Sequence, residues 1–308
     1  MSKAGRDLVK KLIIFDIDGT LRDERFGIPA SAIWAINNCK ANGHELCLCT
    51  GRSKAMIQPD ILKLSIPCLI AGGGCYIEYD GNVLLDQRFQ TKQIMQVLHI
   101  SKANDCALAI ETKTKVFMNE KACAIFQKMN KMKHKESDKK TYQQYQQNEQ
   151  IRYENNLSQY DGKAVHKICL WTNGTVFKQI QRVLQTDMML AQSDTYENMQ
   201  YYEIICRDCG KKEAVMRVCN YLNIDQKQTI AFGDGMNDAQ MLAYCETGIA
   251  MGNADVHVYP YADAICESVQ EDGIYHELVR RKIVERKECY EKTVVAEGSC
   301  ISDLSKKF

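Results

Sequence analysis

Two acidic loops hold the residues of this sequence best suited to chemistry. The first is FDIDGTL, Phe15 to Leu21. It ends the apolar run KLIIFD and sets Asp16 and Asp18 two residues apart. In an extended chain such residues point the same way. Both acids are therefore expected at one site, at the C-terminal end of a buried strand, where open α/β sheets bind ligands. Gly19 lets the chain turn sharply after them. The second loop is GDGMND, Gly233 to Asp238, after the run TIAF. It puts Asp234 at a strand end and Asp238 about one helical turn further on. Converging carboxylates repel one another unless a cation holds them, and hard oxygen ligands select Mg²⁺ over softer metals. An ordinary acidic turn would account for the first loop taken alone, and an Asn/Gly-rich turn for the second. That bland reading weakens when the two loops are taken together.

Two further pieces would complete an anion site. The run CLCTGRS places Thr50 and Gly51 at the end of a second strand, ahead of a helix start. A hydroxyl with free backbone N–H groups at a helix N-terminus can cradle phosphate, although Thr50 or Ser53 could equally be a plain helix cap. Lys211 opens the helical run KKEAVMRVCNYL. A cation there works against the helix dipole; a solvated surface lysine is the simpler alternative.

The elements that must position these residues alternate. KLIIFD, HELCLCT and PCLIAGG read as strands. Ser31 to Asn42 reads as a helix stopped by Gly43, and Ser53 to Leu64 as a second helix. This β-α-β-α-β order implies a parallel sheet covered on both faces. YIEYDGNVLL then reads as a hairpin turning at Asp80-Gly81. From 85 to 195 the pattern becomes helix, two strands, helix, a polar stretch KKTYQQYQQNEQ, strand, helix, strand. The polar stretch is expected to be a solvated helix face or loop. After YYEIICRD the first pattern resumes, with TIAFGDG and TGIAM as strands and helices over NDAQMLAYC and Gly273 to Glu288. The expected fold class is α/β: a Rossmann-like parallel-sheet core from residues 1–84 and 196–308, and an inserted α+β cap over 85–195.

Composition excludes other classes of function. The 308 residues carry 40 Lys plus Arg against 39 Asp plus Glu, a net charge of +1, which gives no footprint for nucleic acid or an anionic membrane. No apolar run approaches the roughly 20 residues that span a bilayer. A cytoplasmic protein, monomer or homodimer, is expected. The 15 cysteines are odd in number and sit mostly in apolar runs, so they read as small hydrophobes rather than a disulfide framework. Cys206 and Cys209 form a CxxC pair without a matching second half, which argues against zinc.

In order and spacing, the four chemical segments resemble the motifs of the haloacid dehalogenase superfamily. GIAMGNA at Gly248 to Ala254, with YADAIC and EDGI beyond it, resembles the Cof-type branch of metabolite phosphatases with a large cap. The resemblance implies a Mg²⁺-dependent phosphatase acting on a small phosphate ester such as a sugar phosphate. Asp16 would be the nucleophile and Asp18 the general acid/base. Thr50, Gly51 and Lys211 would hold the phosphoryl group, helped by Asn237. The metal would sit on Asp16, the main-chain carbonyl of Asp18, and Asp234, with Asp238 orienting its water. Lys212 stands where the family has Gly after the motif lysine, which leaves open whether Lys211 or Lys212 enters the site. Gly73-Gly74-Cys75 replaces the family's Asn-Gly-Ala. The inserted domain is expected to choose the substrate while the core does the chemistry, swinging on connections near Leu84 and Thr195. A phosphomutase and a non-catalytic regulatory protein on the same fold are the alternatives.

Overall fold

The computed structural model describes residues 9–133, 156–160, 162, 164–184, 188–196 and 199–287. The polar stretch KKTYQQYQQNEQ and the tail after Lys287 lie outside these residues.

Strands β1 (Leu12–Phe15), β2 (Glu45–Cys49), β3 (Cys68–Ala71), β4 (Tyr76–Tyr79) and β5 (Asn82–Asp86) form the first half of the core sheet. The second sheet contains β6 (Ala107–Thr112), β7 (Val116–Met118), β8 (Val165–Thr172), β9 (Met188–Tyr196) and β10 (Met199–Cys206). The core sheet is then completed by β11 (Thr229–Gly233), β12 (Thr247–Ala250) and β13 (Ala264–Ile265), in the order β13-β12-β11-β1-β2-β3-β4-β5. All pairs from β13 to β3 are parallel, and β4 and β5 add the expected hairpin at the edge.

The β-branched and Leu-rich strands are buried on both faces, as parallel strands must be. Leu12 and Ile14 pack with Val215 and Val218 of the helix Lys211–Leu222 and with Leu242 of the helix Ala239–Tyr244. Ile13 and Phe15 pack against Ala35 and Ile36 of the helix Ala30–Ala41 and Leu278 of the helix Gly273–Arg280. The last helix ends short of the expected Glu288 because Lys282 turns left-handed, at φ 59°. No helix among the described residues is long and apolar enough to cross a membrane.

The second sheet is antiparallel, in the order β7-β6-β8-β10-β9. Helices Thr91–Ala103 and Gly174–Leu184 cover one face. The helix Glu120–Lys133 covers the Ala107, Ala109 and Trp171 end of the other.

Three expectations change. The helix over Ser53 to Leu64 is broken into a single turn at Lys54–Met56 and a four-residue helix at Pro59–Leu62. Gln58 precedes Pro59, whose ring disfavours the helical region for its predecessor, and Gln58 is extended at φ −69°, ψ 150°. The segment after Thr50, expected to cradle phosphate, is therefore a loop, not the start of a long helix. The boundary at 195 moves as well. Met199 pairs with Tyr196 in a β9–β10 hairpin, so the second sheet runs on to Cys206. The connections expected near Leu84 and Thr195 likewise fall inside paired strands, β5 and β9.

The cysteines among the described residues are free and buried. Cys75 lies within hydrogen-bonding reach of both Cys206 and Cys209. The bond with Cys206, and then burial, pushes the Cys75 thiol up to about 12, while Cys209 acts the other way. Among the described residues only Asp16, Asp234 and Asp238 bring three possible metal-ligating atoms within 4.8 Å of one another, whereas a structural zinc site takes four ligands. Elemental analysis is accordingly expected to find no stoichiometric zinc. Zinc that disappears in Cys206→Ser would overturn this.

Candidate active site

The core sheet changes direction at β1. Strands β2 and β3 build outward on one side, and β11, β12 and β13 on the other. Such a switch point leaves a crevice beyond the carboxyl ends of the central strands. Asp16 follows β1 and donates its N–H to the Phe232 carbonyl of β11, at 3.1 Å. Asp234 follows β11 one residue beyond the paired segment.

Side-chain oxygens of Asp16, Asp234 and Asp238 all lie within 4.8 Å of one another. Lys211 Nζ sits among them, 2.6 Å from Asp16 Oδ1 and 2.5 Å from Asp238 Oδ1. Lys211 is thus the lysine that reaches the acids. Its helix is set by a backbone contact: a Cβ on Gly74 would come 2.4 Å from the Gly210 carbonyl, so only glycine allows this approach. Asp238 Oδ2 accepts from the N–H groups of Asp234 and Gly235, at 3.1 and 3.0 Å, closing the loop on itself.

The electrostatics are strained. Burial raises Asp16 well above the usual carboxylate range, Asp238 and Asp234 add to this, and Lys211 opposes it. Burial and Asp238 push Asp234 up to about 7, against the hydroxyl of Thr20, which donates to Asp234 Oδ1 at 2.9 Å. Burial alone would lower Lys211, but Asp16 and Asp238 hold it above its ordinary value and therefore charged. Three ionised carboxylates and one ammonium would leave two negative charges. That is the deficit a divalent cation would neutralise, and an all-oxygen donor set suits Mg²⁺. These residues fit the ion.

Asp18 meets a residue of the next loop. The chain leaves β1 at Phe15, so a turn rather than strand alternation aims it. Arg52 holds both its oxygens, Nε to Oδ2 at 2.5 Å and Nη2 to Oδ1 at 2.8 Å. Arg52 belongs to the loop expected to bind phosphate. In that loop Thr50 is buried, its hydroxyl accepts from the Arg52 N–H at 3.1 Å, and a Cβ on Gly51 would lie 3.6 Å from the Asn237 amide. A cavity of about 680 Å³ opens beside Asp18, Gly19, Asp234 and Asn253. Gly19, at φ +78°, lies so close that a Cβ would meet Asp234 Oδ2 at 2.1 Å. Asn253 fixes the same turn by donating to the Gly19 carbonyl at 2.7 Å.

Reading the motifs as acids and a lysine passed over Arg52, Thr20 and Asn253. Each stood inside a segment already singled out: TGRS, FDIDGTL and GIAMGNA.

The chain is similar to known proteins in sequence and in fold. YkrA of Bacillus subtilis is 27% identical over 270 residues, covering 86% of this chain and 95% of the relative. An HMP-PP phosphatase of Yersinia enterocolitica is 26% identical over 251 residues, covering 79% and 84%. The solved structure of the subclass IIB sugar phosphatase BT4131 superposes with a TM-score of 0.69 at 21% identity, covering 89% of this chain and all of that one. The family profile described as haloacid dehalogenase-like hydrolase matches residues 13–278, and the chain belongs to that family.

Proposed function

We propose that this hydrolase is a Mg²⁺-dependent phosphatase that removes the phosphoryl group from a small phosphate monoester through Asp16. The observation that carries the reading is Asp16 itself: a buried carboxylate at the switch point, paired with Lys211 and gathered with Asp234 and Asp238. The names of the Yersinia relative and of BT4131 support a phosphatase, and the latter a sugar phosphate.

Phosphate monoesters hydrolyse extremely slowly, so a nucleophile and charge neutralisation are both required. An Asp16 oxygen bonds to phosphorus as the bond to the ester oxygen breaks. Asp18 gives its proton to the departing alkoxide. Water then bonds to phosphorus, its proton returns to Asp18, and the bond to Asp16 breaks, restoring the carboxylate. Lys211, Thr50 and Asn237 steady the phosphoryl oxygens. Mg²⁺ bound at Asp16, Asp234 and the Asp18 carbonyl, with Asp238 beside it, would offset charge on the transferring group. Both oxygens of Asp18 are engaged by Arg52, which holds the carboxyl group in one orientation.

The test is release of inorganic phosphate from a panel of sugar phosphates and simpler esters, with Mg²⁺ and with a chelator. Release that requires Mg²⁺ is expected. Hydrolysis that proceeds equally under chelation, or none across the panel, would contradict the reading.

A further inference from the structure

The second sheet carries a buried charged cluster that the reaction does not use. Strand alternation puts Glu111 of β6, Lys167 and Cys169 of β8, and Tyr201 and Glu203 of β10 on one face. Glu111 and Lys167 stand directly opposite in the register. Lys167 Nζ donates to Glu203 Oε1 at 3.0 Å and to the carbonyl of Gly51 at 3.1 Å, and forms an ion pair with Glu111 Oε1 at 3.4 Å. Gly51 is in the core, in the loop after β2. Glu111 crosses as well, its Oε2 accepting from the Ser53 N–H at 3.3 Å. Lys167 and Glu111 are nearly inaccessible to solvent. Tyr201 donates to Glu203 Oε1 at 2.8 Å, and Cys169 to Glu111 Oε1 at 3.2 Å. Burying such charges is expensive and adds little net stability, so stability alone gives no reason for the cluster.

The loop it grips is the one that matters. Between the gripped Gly51 carbonyl and Ser53 N–H lies Arg52, which holds Asp18, and just before it lies Thr50. From the core side, Thr50 N–H donates to the Ile70 carbonyl at 2.9 Å, Gly73 N–H to the Thr50 carbonyl at 3.0 Å and Gly72 N–H to the Arg52 carbonyl at 2.6 Å.

We propose that Lys167, with Glu111, is a positioning residue that clamps the second domain onto Gly51–Ser53, so that the phosphate-binding loop takes its working shape only while that domain is docked. The inference rests on the proposed phosphatase reading. It also qualifies the expected division of labour, because part of the inserted domain then serves every substrate alike.

Lys167→Met and Glu111→Gln test it, alongside the charge-free triple variant Lys167→Met/Glu111→Gln/Glu203→Gln. Misplacing a catalytic loop by about 1 Å can cost on the order of 10²-fold in rate. Lys167→Met should lower kcat about 10- to 100-fold on every ester and on acetyl phosphate alike, and leave the substrate ranking unchanged. The triple variant should recover Tm without recovering kcat. A changed ranking with acetyl phosphate unaffected would make Lys167 a substrate contact and overturn the clamp. Recovery of kcat in the triple variant would reduce the cluster to a structural one. Amide hydrogen exchange is independent of turnover: peptides spanning Gly51–Ser53 should exchange faster in Lys167→Met, and unchanged exchange contradicts the clamp. A wild-type protein inactive on all esters would instead count against the phosphatase reading.

Discussion

Asp16→Asn is expected to abolish phosphate release, by at least about 10⁴-fold, since removing a covalent nucleophile can cost on the order of 10⁶. The amide keeps the size of the side chain and can still meet Lys211, but it cannot attack phosphorus. The same change should not unfold the protein. Ionising Asp16 is costly, because burial opposes the charge and two neighbouring acids add to this against Lys211. A neutral group there removes that repulsion, so Tm should hold or rise, and Lys211 keeps Asp238 at 2.5 Å. Loss of activity with an undiminished Tm separates a chemical role from a structural one. Turnover surviving at more than a small percentage would rule out the covalent route.

Asp18→Ala is expected to slow hydrolysis of alkyl esters by about 10²- to 10⁴-fold, the usual worth of general acid–base help, with the Mg²⁺ dependence unchanged. The side chain faces Arg52 rather than the three gathered acids, and only its backbone is assigned to the metal. Acetyl phosphate sharpens the test, because its leaving group needs no proton. The first half of the reaction should then survive in the variant while the second, which needs Asp18 as a base, lags. A large shift in the Mg²⁺ concentration needed for half-maximal rate, with little loss of kcat, would reassign Asp18 to the metal.

The core was legible because its signals are local and redundant. The runs LIIF, ELCLC and CLIA are strands wherever they pack, and Asp-Gly at 80–81 marks the hairpin. The gathering of Asp16, Asp234, Asp238 and Lys211 follows from placing two acidic loops and one helix start at adjacent strand ends. What escaped depends on contacts between distant segments. Nothing near Arg52 announces that it will reach back to Asp18. Lys167 and Glu111 read as ordinary strand residues until the β6–β8 register sets them opposite each other and against Gly51. The apolar spacing of Ile57, Ile61 and Leu64 suits a helix, and Pro59 overrides it by geometry rather than hydrophobicity. The end of the second sheet was misplaced because β9 and β10 form a tight hairpin, and a boundary drawn at 195 cut through it.

The central claim is that the phosphoryl group passes through Asp16, and rapid acid quench tests it most directly. Enzyme, Mg²⁺ and acetyl phosphate are mixed and stopped within the first turnover, and the peptide containing Asp16 is weighed. One added phosphoryl group on Asp16 is expected, formed and lost at the rate of turnover in the wild type, accumulating in Asp18→Ala and absent from Asp16→Asn. Steady phosphate release with no phosphoryl group on Asp16 at any quench time, or with the group on another residue, would contradict the account.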